Sequence, residues 1–76
     1  MKFNLYTVND VVAEEAGPVF CAKNSGVAFR NFSAMLKDVA TPDEYELFHV
    51  GEYDSDSMEV TAMIPKKVYY GDDTDE

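Results

Sequence analysis

Between Ser25 and Val39 the apolar residues recur at helical spacing. At roughly 100° per residue, Ala28, Phe29, Phe32, Met35, Leu36 and Val39 fall within one arc, with Arg30, Ser33 and Lys37 opposite. Asn24 or Ser25 offers a side-chain oxygen to the first free amides of a helix. Thr41-Pro42 ends it, because the residue before a proline is pushed out of the α region. The pattern predicts an amphipathic helix with one wide apolar stripe.

Elsewhere the period is two. From Lys2 to Val8, Phe3 and Leu5 face one way and Asn4 and Tyr6 the other. Val11 to Ala16 fits a helical turn or a bent connection, closed by Gly17-Pro18. Val19 to Lys23 reads as a short second strand. A third begins at Asp43 and continues to Tyr53, with Phe48 and Val50 on one face and Tyr45, Leu47 and His49 on the other. Apolar residues on both faces mark it as central. Asp54 to Ser57 reads as a hairpin loop. Met58 to Ile64 is a fourth strand, which Pro65 interrupts. Lys66 to Tyr70 adds a short edge strand guarded by two lysines.

The expected architecture is α+β: a single mainly antiparallel sheet in the order ββαββ, with an optional fifth short strand and the helix packed on one face. Residues 1–71 are expected to form the domain and residues 72–76 a disordered acidic tail.

Length sharpens this picture. With 76 residues there is room for one core, and a chain of this size buries only about 60% of its unfolded surface. The lone Cys21 forms no intrachain disulfide. The chain holds five Phe and five Tyr, and one helix shields only one face of a sheet. The expected support is self-association, a homodimer first.

Charge narrows the function. Fifteen acids against six bases leave a formal net charge of −9, which disfavours nonspecific binding of nucleic acid over the whole surface. Asp72, Asp73, Asp75 and Glu76 concentrate some of that charge at one end. No apolar run approaches the roughly 18–20 residues that span a bilayer, and Phe3 to Leu5 alternate where a signal peptide would be uniformly apolar. A cytosolic protein without a membrane partner is expected.

Catalytic ingredients are few. The single His49 and Cys21 could form a dyad only if the fold joined them; a strand histidine and a small core thiol is the plainer reading. One Cys and one His do not make a zinc site. Asp54-x-Asp56 lacks the glycine and the distal glutamate of a calcium loop. No enzyme, cofactor, metal or small-molecule substrate is expected. The basic residues carry more information. Arg30 and Lys37 are two helical turns apart, and Lys66-Lys67 sit beside Tyr69-Tyr70. Basic and aromatic side chains together suit single-stranded nucleic acid, although a solvated helix face and a guarded strand edge explain them more simply.

Four runs occur in order: K-F-N-L-Y-T-V-N-D, A-G-P-V-F-C-A-K-N, G-V-A-F-R-N-F-S-A-M-L-K-D and P-D-E-Y-E-L-F-H-V-G-E-Y-D. Together, from Lys2 to Asp54, they resemble the small non-structural protein of gokushovirus-type microviruses, which are single-stranded DNA phages. The resemblance implies a non-enzymatic protein made in the host bacterial cytoplasm and absent from the mature virion. It implies a part in viral genome replication or packaging, through contact with single-stranded DNA or the replication complex. On that reading the candidate DNA contacts are Tyr6, Arg30, Lys37, Lys66, Lys67, Tyr69 and Tyr70. The alternative is an acidic interaction module that binds a basic host or phage protein without nucleic acid.

Overall fold

The structure, a computed structural model, describes residues 1–71. The expected acidic tail, residues 72–76, lies outside the described residues. Strand β1 (Lys2–Asp10) is central. On one side it pairs with two short strands, β2 (Glu15–Ala16) and β3 (Phe20–Ala22). On the other it pairs with β4 (Tyr45–Asp54), which pairs in turn with β5 (Glu59–Val68) at the edge. Every pairing is antiparallel, and one helix, α1 (Ser25–Met35), lies against the sheet. The class is therefore α+β with a mainly antiparallel sheet.

The element order departs from the expected ββαββ in two places. The ambiguous VVAEEA stretch is a turn followed by β2. Asp10 makes the turn: its carboxylate accepts the Val12 and Ala13 amides at 3.1 Å each, and its carbonyl accepts Glu14 N–H at 2.8 Å. An acidic side chain closing its own turn competes here with helix formation. The second departure lies after the hairpin. The fourth and fifth expected strands are one strand, β5, which runs through Pro65. Between the pairs His49–Lys66 and Gly51–Ala62, Val50 alone opposes Met63, Ile64 and Pro65. A proline in an irregular stretch of an edge strand removes no ladder hydrogen bond, so the strand continues. Met58 belongs to the turn at φ 64°, with its amide donating to the Asp54 carbonyl at 2.7 Å.

The helix starts as expected and stops early. Asn24 is the cap, its Oδ1 accepting Val27 N–H at 2.9 Å. Beyond Met35 the chain tightens: Lys37 N–H donates to the Ala34 carbonyl and Val39 N–H to that of Leu36. Met35, expected in the apolar stripe, is exposed, while Ala28 and Phe32 enter the core.

Register fixes the two faces of the sheet, because residues directly opposed share a face. Tyr6–His49, Val8–Leu47 and Leu47–Val68 face the helix. Phe3–Tyr53, Thr7–Phe48 and Phe48–Lys67 face away. Val50 is the extra residue of a bulge between Leu5–Gly51 and Tyr6–His49, and it re-aims β4 there. The core between helix and sheet is small: Tyr6, Ala22, Ala28, Phe32, Leu47 and Val68. Tyr6 and Leu47 are its largest fully buried side chains, and each contributes on the order of 1.5–3 kcal/mol through burial.

Candidate nucleic-acid interface

The outer side of α1 and the end of β5 meet in a basic–aromatic slot. Gly26, Phe29, Arg30 and Ser33 lie along one stripe of the helix, three or four residues apart. Tyr70, two residues past β5, reaches back to this stripe, its ring 5.7 Å from that of Phe29 in an edge-to-face arrangement. Phe29 also packs edge-to-face on Phe32 at 5.4 Å, which anchors the slot to the core. Together with Gly71 these residues line an open cavity of about 460 Å³. Arg30 and Tyr70 are both exposed, and Ser33 adds a hydroxyl. A slot with aromatic faces, one guanidinium and one hydroxyl can stack a base and pair with a phosphate.

Lys67 and Tyr69 form a second group on the opposite side of the sheet. The Lys67 ammonium lies 5.1 Å above the Tyr69 ring and 3.0 Å from Glu46 Oε2. The hydrogen bond to Glu46 holds the Lys67 pKa above its usual value. Its charge is thus already engaged by an acid of the same face. Strand alternation separates Lys66 from Lys67: Lys66 opposes His49 on the helix side and is exposed. Lys37 is exposed in the turn after the helix.

The profile of a family described as Phage ORF5 protein matches residues 3–74. The chain belongs to the Phage ORF5 protein family. No curated protein and no solved structure matches it.

Within this phage protein, the seven candidate contacts do not form one surface. Tyr6 is withdrawn from the set. Its ring is fully buried, stacked on His49 at 4.9 Å and tilted against Phe20 at 5.9 Å. Its hydroxyl accepts from Asn4 Nδ2 at 3.0 Å and lies 3.1 Å from Ser25 Oγ. A strand so close to the helix had its alternate side chains claimed by the core. Arg30 and Tyr70 come together; Lys67 and Tyr69 come together elsewhere. Phe29 and Ser33 complete the slot and were not among the candidates. The sequence signal for Ser33 was present, three residues after Arg30 on the polar side of the helix. Phe29 was assigned to the apolar stripe, and it serves both.

Cys21 and His49 stand on opposite faces of the sheet. Cys21 opposes Leu5 on the side away from the helix, and His49 opposes Tyr6 on the helix side. Cys21 is exposed, not a core thiol. His49 Nε2 is 3.0 Å from the Gly51 carbonyl. In the hairpin, the Asp54 carboxylate accepts Asp56 N–H at 2.9 Å, and the Met1 amino group contacts both Asp54 and Asp56. These acids organise their turn and the chain start. Among the described residues, no three His, Cys, Asp or Glu side chains converge as a metal-binding group. No helix among them is long and apolar enough to cross a membrane.

Proposed function

We propose that this phage protein is a non-enzymatic, non-structural accessory factor of a microvirus-type phage. On this reading it acts in the cytoplasm of the infected bacterium, in replication or packaging of the viral genome, and stays out of the mature virion. It contacts single-stranded DNA through the slot of Phe29, Arg30, Ser33 and Tyr70. The observation that carries the reading is the Phe29–Tyr70 ring pair beside an exposed guanidinium. Membership of the Phage ORF5 family and the ordered resemblance from Lys2 to Asp54 support it. The net charge of −9 limits the contact to a local one, so binding is weak and only modestly salt-dependent. Fluorescence anisotropy with a labelled oligonucleotide at low salt tests it. Saturable binding that Tyr70→Ala weakens is the expected result; a flat titration at tens of micromolar ends the direct-contact reading.

A second reading, an acidic module for a basic protein, rests on a different patch. Glu52, Asp54 and Glu59 line a polar recess with Lys2 and Thr61 beyond the reach of the helix. Charge complementarity there suits a basic partner. Titration with a lysine-rich peptide separates the two readings: Glu52→Gln weakens peptide binding on this reading and leaves oligonucleotide binding no weaker.

A further inference from the structure

The sheet face turned away from the helix has no covering layer among the described elements. Phe3, Leu5, Phe48, Val50 and Tyr53 lie on it half-buried, and Val60 is exposed beside them at the β5 edge. We propose that a second copy of this chain packs on this face, sheet to sheet, leaving both helices outermost.

Charge identifies the occupant. Among the register-paired positions that face this side, the only ionisable groups of opposite sign are Glu46 and Lys67, and they neutralise each other at 3.0 Å. Neighbouring Asn9, Thr7, Ala62 and Gly51 carry no charge. Among the described residues, the paired positions of this broad side thus carry none of the chain's excess negative charge. Two copies can meet there without like charges in apposition, whereas a phosphate backbone or a lysine-rich protein would find no complementary charge. Size agrees. Three strands of nine or ten residues, with the two short strands β2 and β3 sharing a fourth position, outline roughly 540 Å² at about 3.3 Å per residue and about 4.8 Å between strands. That is close to the roughly 600 Å² that each partner gives up in the smaller standard interfaces. A shallow depression of about 330 Å³ between Phe48, Val50 and Pro65 offers room for a side chain of the partner. A two-fold axis places the same patch on both sides, as a closed dimer requires.

This inference does not depend on DNA contact, since the Arg30 slot is on the helix side. Sedimentation equilibrium of the full chain tests it. The expected mass is twice the 8.5 kDa of the chain at concentrations of about 10 µM and above. Val60→Glu, at an exposed position of the edge strand, and Phe48→Glu should each return the mass to that of one chain, while Arg30→Ala should not. The native Cys21, exposed on the same side, provides a second readout: a nitroxide there should report an intermolecular distance that Val60→Glu abolishes. A single-chain mass at every concentration overturns the proposal, as does a dimer that survives both glutamate variants. A monomer that still binds oligonucleotide overturns the dimer alone; a dimer that ignores oligonucleotide overturns the DNA reading alone.

Discussion

Gly51 packs so closely on the Thr61 carbonyl that a Cβ at position 51 would lie against that oxygen, inside van der Waals contact. The contact sits where β4 carries its bulge and β5 its irregular stretch, and both sides of it are backbone. Neither can yield as a flexible side chain would. Gly51→Ala should therefore destabilise the fold by about 2–3 kcal/mol, the upper part of the roughly 1–3 kcal/mol typical of overpacking. Urea denaturation checks this; a midpoint within error of the wild type would show that the two strands part easily.

Tyr6 joins the layers. Its ring fills the core, and its hydroxyl sits between Asn4 and Ser25. Tyr6→Phe keeps the ring and loses the hydroxyl, which should cost about 1 kcal/mol, because Asn4 and Ser25 are only half-buried and water can replace it. Tyr6→Ala should cost about 3–5 kcal/mol, as for other large aromatic truncations. Equal losses in the two variants would mean that the hydroxyl, not the ring, holds the helix.

The helix cap is a separable contribution. Asn24 Oδ1 satisfies the Val27 amide at 2.9 Å, and no acidic residue in the first turn shares the task. Asn24→Ala should cost about 1 kcal/mol, and Asn24→Ser only part of that. Thermal unfolding followed by far-ultraviolet circular dichroism measures both. If the serine variant falls as far as the alanine one, the cap is not what the asparagine supplies.

Much of this arrangement was legible because one-dimensional period maps onto two faces. The alternation Phe3, Leu5 against Asn4, Tyr6 is the alternation seen, while of the stripe expected from Ala28 to Val39 only Ala28 and Phe32 are buried and Met35 is exposed. What the period could not give was depth. Tyr6 and Tyr70 are the same residue type, yet one is buried under the helix and the other is 88% exposed. Only the helix position decides between them, and that is a tertiary fact. The merging of the last two strands was hidden for a related reason: Pro65 signals a break unless the strand is known to lie at an edge. The slot was half visible. Arg30 and Ser33 share a helix side by spacing alone, but the return of Tyr70 to Phe29 joins positions 41 residues apart, and no local pattern encodes it.

The hairpin should respond to acid. Asp54 is held below the ordinary carboxylate value of 3.8 chiefly by the Asp56 amide, with the Met1 amino group adding to the effect against some desolvation. A depressed folded value means that the unfolded chain binds the proton more readily. The stabilisation is therefore complete above pH 3.8 and is lost as pH falls through the lower, folded value. Asp54→Asn removes this dependence. The gap in stability between wild type and Asp54→Asn should narrow as pH is lowered below 3.8, in urea titrations at matched ionic strength. A gap that stays constant would mean that Asp54 titrates alike in both states.

Two cations of the same formal charge should behave differently toward DNA. Arg30 stands exposed beside the rings of the slot, while Lys67 is hydrogen-bonded to Glu46, which already stabilises its charged form. To reach a phosphate, Lys67 must first leave its carboxylate; among the described residues no carboxylate pairs with Arg30. Arg30→Ala should weaken oligonucleotide binding by about tenfold, near the lower end of the roughly 1.5–3 kcal/mol of a hydrogen bond to a charged group. Tyr70→Ala should lose a similar amount if a base stacks on that ring. Lys67→Ala should change affinity less than twofold, roughly the effect of one unit of long-range charge at physiological salt. Anisotropy titrations of the three variants at fixed salt give the comparison directly. A larger loss from Lys67→Ala than from Arg30→Ala would move the contact to the other side of the sheet, onto the face assigned here to a second copy.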